Sequence, residues 1–304
     1  MWERKKNIFS EHFAQVPVVD DVLEGRWRIY YSNRIDGMSH PMYIDVDPHN
    51  SFSQLSEPIG PVLELGRPGT FDNSGIMPTE IVQVGDLKYL YYIGWTRRVD
   101  VPYHNNLGLA ISSDGGDTYR KYSDGPVFST SHAEPGYVGT ISILVEDDVF
   151  RGWYLSCRDW KMIDGRMEPY YDIKHATSVD GIVWTPDGVT CIELNEGEGG
   201  ISQASVRKRG QEFEMWFSYR MEADFRENPE NAYHIGHARS DDGLSWNRMP
   251  LPVLGPTGRL GDWDGIMTAY PYVVQSDSGL VMFYNGNGFG ASGIGYARQL
   301  SDTR

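Results

Sequence analysis

The side chains that could do chemistry recur along this chain at regular intervals. Carboxylates stand in short Gly-containing segments: Asp72 in Phe71-Asp72-Asn73-Ser74-Gly75, Glu134 in His132-Ala133-Glu134-Pro135-Gly136, Glu196 and Glu198 in Glu196-Gly197-Glu198-Gly199-Gly200, and Asp264 in Trp263-Asp264-Gly265. Arginines close aromatic-rich segments: Arg34, Arg98, Arg158 and Arg220. Carboxyl groups brought together can act as proton donors, bases or nucleophiles, because crowding raises the pKa of one of them. Guanidinium groups bind hydroxyls and anions through several donors at once. Acids and arginines make a site if the fold carries them to one place.

Three repeated motifs say how that could happen. The first is a turn: Ser113-Asp114-Gly115-Gly116-Asp117-Thr118-Tyr119, Ser178-Val179-Asp180-Gly181-Ile182-Val183-Trp184 and Ser240-Asp241-Asp242-Gly243-Leu244-Ser245-Trp246. Asp-Gly turns the chain and the aromatic residue opens a strand. The second is an aromatic strand ending in Ser-x-Arg, as in Tyr30 to Arg34, Trp153 to Arg158 and Trp216 to Arg220. Tyr89 to Arg98 is a looser copy, and Met282 to Asn285 a copy without the Arg. The third is a strand of small and β-branched residues: 16–19, 77–82, 139–145, 201–206 and 268–274. Small residues suit the innermost strand, where strands crowd an axis. Five units of roughly 60 residues, each with about four strands, are a propeller signature.

The fold expected is therefore all-β, a five-bladed β-propeller with four antiparallel strands per blade, in one domain over residues 1–304. Outer strands are expected at Pro61-Val62-Leu63, Pro126-Val127-Phe128 and Pro252-Val253-Leu254. The last unit lacks such a strand. The segment from Asn7 to Ser10 is expected to supply it by pairing near Ile294 to Ala297, removing an exposed edge. In such a blade, the start of the inner strand and the end of the second strand share a face. Asp72, Glu134, Glu198 and Asp264 are then expected to converge on one axial, acidic pocket with Arg34, Arg158 and Arg220 around them.

Composition narrows the partners. The formal net charge of −15 disfavours nucleic acid and anionic membrane surfaces, whose binding rests on Lys and Arg. A small-molecule or oligosaccharide ligand stays compatible. Cys157 and Cys191 are expected to remain unbridged, and no Cys–His spacing suggests zinc. No metal and no cofactor is expected. The first residues lack the apolar run of a signal peptide, which points to the cytoplasm.

On Asp72, Glu134, Asp264 and the blade motif Ser240 to Trp246, the protein resembles the five-bladed propeller glycosidases and phosphorylases of glycoside hydrolase families 32, 43, 68 and 130. The resemblance implies an enzyme that cleaves or transfers a glycosyl unit. It implies an Asp in the first blade; Glu11 and His12 stand there instead. Glycosidic chemistry needs two carboxyl groups across the substrate, one of them protonated. Glu134 or Glu198 is the candidate acid, and Asp72 or Asp264 the base or nucleophile. His12, Arg34, Arg98, Arg158, Arg220, Asn285 and Glu196 are candidate substrate contacts. The arginines would also suit a phosphorylated or nucleotide-linked sugar.

Two other functions fit the same residues. A non-catalytic sugar-binding propeller would use the acids to hold hydroxyls. A scaffold would consume them in salt bridges or turn caps, with the arginines bridging blades. The Ser-x-Asp-Gly turns are read as structural. His175 and His237, at equivalent strand positions, are read as packing residues.

Overall fold

The computed structural model describes residues 1–9, 13–23 and 25–300. It opens on strand β1 (Trp2–Phe9). The remaining strands follow in five repeats. The first repeat holds β2 (Gln15–Asp20), β3 (Trp27–Ile35), β4 (Met38–Asp47) and the short β5 (Ser53–Gln54). The second holds β6 (Gly75–Val84), β7 (Leu87–Arg97), β8 (Tyr103–Ser112) and β9 (Arg120–Lys121). The third holds β10 (Val138–Glu146), β11 (Val149–Ile163), β12 (Arg166–Ser178) and β13 (Thr185–Ile192). The fourth holds β14 (Glu198–Arg209), β15 (Glu212–Met221), β16 (His234–Ser240) and β17 (Asn247–Arg248). The fifth holds β18 (Ala269–Ser276), β19 (Gly279–Asn285) and β20 (Ile294–Gln299). Within each repeat, successive strands pair antiparallel.

The fifth repeat takes its fourth strand from the other end of the sequence. Strand β1 runs antiparallel to β20, with Arg4 opposite Ala297, Asn7 opposite Gly295 and Phe9 opposite Ile294. The pairing expected for Asn7 is present and extends back to Trp2. Ser10 lies outside the described residues. Ile8 and Phe9 are buried, and the Phe9 ring meets Tyr31 of the first repeat at 5.1 Å.

The five motif-bearing inner segments fall in β2, β6, β10, β14 and β18. Each inner strand lies against that of the next repeat, and β18 lies against β2. All five carry a register irregularity near their start, at 15–18, 78–80, 138–141, 202–205 and 269–272. Val16, Gln203 and Tyr270 adopt left-handed backbone there. A β-bulge re-aims side chains and bends its strand. Here it turns Gln15, Ser202 and Tyr270 toward one cavity.

The Asp-Gly turns tie one repeat to the next. Ser178 and Asp180 share a hydrogen bond of 2.9 Å, and Asp180 accepts from the N–H groups of Ile182 and Val183. These donors hold its carboxyl below the usual range. The turn glycine then offers its carbonyl backwards. Tyr91 donates to Gly181, Trp153 to Gly243, and Arg28 to Gly116. The structural reading of these turns is met at all three sites. His175 packs edge-on to Trp153 and bonds Asp187, while His237 stacks on Trp216.

One expectation needs correction. The Pro-Val segments are not the outer ladder strands. Those are the short strands directly after the turns, β9 and β17, and β5 in the first repeat. The Pro-Val segments make single bridges instead, Leu107 to Phe128 and Ile235 to Leu254. Proline lacks the N–H that a continuous ladder requires.

Removing residues 1–9 is expected to lower the melting temperature by about 10 °C or more, since it exposes β20 and removes two buried apolar side chains. Differential scanning calorimetry on the truncated protein checks this. An unchanged transition contradicts the pairing.

Candidate functional site

The four recurrent acids do not meet. Each is buried within its own repeat, between 2% and 7% exposed, and each is spent on a cation of the same sheet. Asp72 accepts from Lys121 at 2.6 Å and from the Tyr92 hydroxyl at 3.3 Å. Glu134 accepts from Lys174 at 2.9 Å and Tyr154 at 2.8 Å, and also from Ser156. Glu198 is held by both ends of Arg248, one at 2.8 Å. Asp264 accepts from Arg4 at 3.0 Å and Tyr284 at 2.9 Å. The expectation of one axial acidic pocket is thus corrected: each of these four acids latches its inner strand to a third or fourth strand of its own sheet.

The other candidates divide. Arg34 and Arg220 do line the central cavity. Arg98 is exposed and pairs with Asp100 at 3.5 Å. Glu196 is exposed on its loop. Asn285 is fully buried and ties the last repeat to the first, accepting from the Val16 N–H at 2.8 Å and donating to the Ala14 carbonyl. Its job is to hold the inner strands together. His12 lies outside the described residues, as does Glu11.

Arg158 approaches a carboxylate that sequence reasoning missed. Its Nη1 lies 3.2 Å from Asp172, yet neither oxygen of Asp172 receives a well-directed hydrogen bond. Asp172 has no exposed surface. Burial pushes its carboxyl up to about 6, against the pull of Arg158 and Lys174. It stands beside the Glu134 latch rather than in the cavity.

The central cavity has a volume of about 320 Å³, within the range of ligand sites, roughly 300–1,000 Å³. All five repeats build it. Gln15 and Arg34 come from the first, Trp95 and Tyr103 from the second, Tyr137 and Tyr171 from the third, Ser202 and Arg220 from the fourth, and Tyr270 from the fifth. It is aromatic and cationic, not acidic. Among its described lining residues one carboxylate occurs, Glu168, and Arg226 grips it with two bonds of 2.6 and 2.9 Å.

The wall is rigid where it matters. Tyr171 packs on Gly200 through a single parallel bridge between β12 and β14. Any side chain at Gly200 would collide with the Tyr171 ring. The Tyr171 hydroxyl meets that of Tyr233 and accepts from Arg220 Nε at 3.4 Å. Burial pushes Tyr233 well above the ordinary phenol value, so it stays protonated. Tyr103 and Tyr137 pack at 5.7 Å, with Trp160 of the long β11–β12 hairpin against both.

Tyr103 and Tyr233 share a signal that the sequence carried. Tyr103 opens β8 and Tyr233 directly precedes β16, both third strands, whereas Tyr171 is the sixth residue of β12. A third strand begins where the second ends, so its start faces the same cavity as Arg34 and Arg220.

No family model matches the protein. The uncharacterized protein Rv1502 of Mycobacterium tuberculosis H37Rv is 30% identical over 292 residues, which cover 95% of this chain and 93% of the relative. Among solved structures, one described as a glycoside hydrolase aligns with a TM-score of 0.73 at 18% identity, covering 100% of this chain and 93% of that protein. Another aligns at a TM-score of 0.71 and 16% identity, covering 98% and 93%. It is described under the GH130 family of mannoside phosphorylases, said to contain glycoside hydrolases that target β-1,2 mannosidic linkages in Candida mannan. At these identities the likeness is one of fold. Among the described residues, no helix is long and apolar enough to cross a membrane.

The Asp172 carboxyl gives a pH test. Its folded pKa of about 6 lies above the ordinary 3.8, so the folded protein holds the proton more tightly. Its contribution is full below about pH 4 and is lost as pH rises through about 6, about 3 kcal/mol in all. Asp172→Asn is expected to remove this slope in urea titrations at pH 4 and pH 7. An unchanged slope contradicts the assignment.

Proposed function

We infer that this protein, which belongs to the family of the uncharacterized Mycobacterium tuberculosis protein Rv1502, is a carbohydrate-active protein that takes a glycosyl unit into its central cavity, a reading supported by the fold it shares with glycoside hydrolases. The five repeats are read as five blades of one domain, closed by β1. The cavity carries the inference. It is a concave site built by all five repeats, and at about 320 Å³ it is larger than the cavity of about 110 Å³ that the same inner strands form around Glu80 and Tyr272. Flat faces of Trp95, Tyr171 and Tyr270 suit the apolar faces of a sugar ring. Gln15, Asn105 and Ser202 offer a few convergent polar groups for its hydroxyls.

Cleavage or transfer of that glycosyl unit is the leading reading, with Glu168 as the carboxylate of the site. Its bidentate pair with Arg226 keeps it oriented on the cavity wall. A second reading, binding without turnover, is favoured by one observation. Glycosidic cleavage uses two carboxyl groups, and the described lining presents one. The cytoplasm remains the proposed compartment, and two buried free thiols are at home there.

A panel of aryl glycosides separates the readings. Native protein is expected to release the aryl alcohol from at least one of them. Glu168→Gln is expected to slow this by about 10²-fold or more. Glu134→Gln is expected to keep turnover within a few-fold while lowering the melting temperature. Glycoside binding without turnover selects the second reading. Loss of turnover only in Glu134→Gln would return catalysis to the latch acids.

A further inference from the structure

We propose that the ligand of the central cavity carries an oxyanion, a carboxylate or phosphate on its sugar, and that Arg220 and Ser202 receive it. The proposal rests on the carbohydrate reading above and adds the charge of the ligand.

The first observation is an unmatched charge. Arg220 is only 1% exposed. Its N–H groups reach neutral oxygens: the Met221 carbonyl at 3.0 Å, the Pro169 carbonyl at 2.7 Å and the Tyr171 hydroxyl at 3.4 Å. Phe225 lies under the guanidinium at 3.9 Å. Among the described residues no carboxylate pairs with it. Other buried cations do have one: Arg28 has Asp45 and Lys88 has Asp20, and the half-buried Arg248 has Glu198. A buried charge without a counter-charge is costly, and a protein of net charge −15 has carboxylates to spare. The missing partner fits a ligand that brings its own negative charge.

The second observation is independent. Ser202 is 3% exposed, lines the same cavity, and its hydroxyl has no hydrogen-bond partner. Ser202 and Arg220 belong to one antiparallel pair, with Gly200 opposite Arg220 and Ser202 opposite Ser218. The unspent hydroxyl and the unmatched guanidinium thus stand two rungs apart on one sheet.

The remaining charges do not cancel this. Glu168 is already matched by Arg226. Arg34, at the rim, has no carboxylate partner among the described residues, and its guanidinium lies 5.7 Å from the Trp95 ring. Among the described residues the cavity therefore keeps a positive excess inside an acidic protein. A forked guanidinium with a flanking hydroxyl donor is an arrangement that recognises carboxylate or phosphate.

Calorimetric titration tests this with glucose, galactose and mannose, each as the neutral sugar, the uronate and the 6-phosphate, and with inorganic phosphate. At least one anionic form is expected to bind native protein tenfold or more tightly than its neutral parent. Preference for the uronate assigns a carboxylate, and preference for the 6-phosphate a phosphate. Arg220→Gln is expected to erase the preference. If that variant does not fold, Ser202→Ala is expected to reduce the preference at least threefold. Equal binding of neutral and anionic sugars overturns the proposal and leaves the carbohydrate reading standing. Binding of inorganic phosphate without any sugar supports the oxyanion site and overturns the carbohydrate reading. No binding of any probe overturns both.

Discussion

The innermost strands face one another around an axis with no ladder between them, and the rest of the molecule follows from how their backbone groups are satisfied. Side chains of the neighbouring repeat do this. Thr79 accepts from the Ile141 N–H at 3.0 Å, Thr140 from Gln203 at 3.1 Å, Ser142 from Val206 at 3.0 Å and Ser205 from Val273 at 2.9 Å. Glu80 gathers four donors, from Tyr272, Ser142 and the N–H groups of Ile143 and Ile81. Burial still pushes its carboxyl above the ordinary value. Small and hydroxyl-bearing residues can stand so close and still cap a neighbour's donor, and Glu80 does so with its carboxylate. The bulges follow from the same crowding, and they open the cavity at one end of the axis.

That constraint separates what repeats from what does not. A residue present in repeat after repeat does a job that every sheet needs. The latch acids, the turn aspartates and the histidines on β12 and β16 are of this kind. The cavity is built where the repeats differ. Tyr171 stands where the first repeat has Ser39, since each makes the bridge to the next inner strand. Glu168 sits on a hairpin longer than its counterparts, and Arg226 on the loop between β15 and β16.

The repeat itself was legible in the sequence because turn chemistry and strand composition are local. All five inner strands, the second strands and the joining of the two termini could be read from short motifs. The role of the acids could not. Their partners lie 49, 40, 50 and 260 positions away, on outer, third and N-terminal strands. Regular spacing of the acids signalled equivalence, and equivalence was mistaken for convergence. Arg34 and Arg220 were found because the end of a second strand faces the cavity in any such repeat. Arg158 does not end its strand, since β11 runs on to Ile163, and it pairs with Asp172 and does not line the cavity.

The central claim is that ligand recognition lives in the aperiodic cavity and that the periodic acids hold the sheets together. A crystal structure of the protein soaked with a bound glycoside tests this most directly. The account predicts density for one sugar among Trp95, Tyr171 and Arg220, with the Lys121, Lys174, Arg248 and Arg4 pairs to the four acids intact. Sugar bound instead against Asp72, Glu134, Glu198 or Asp264, with those pairs broken, would contradict it.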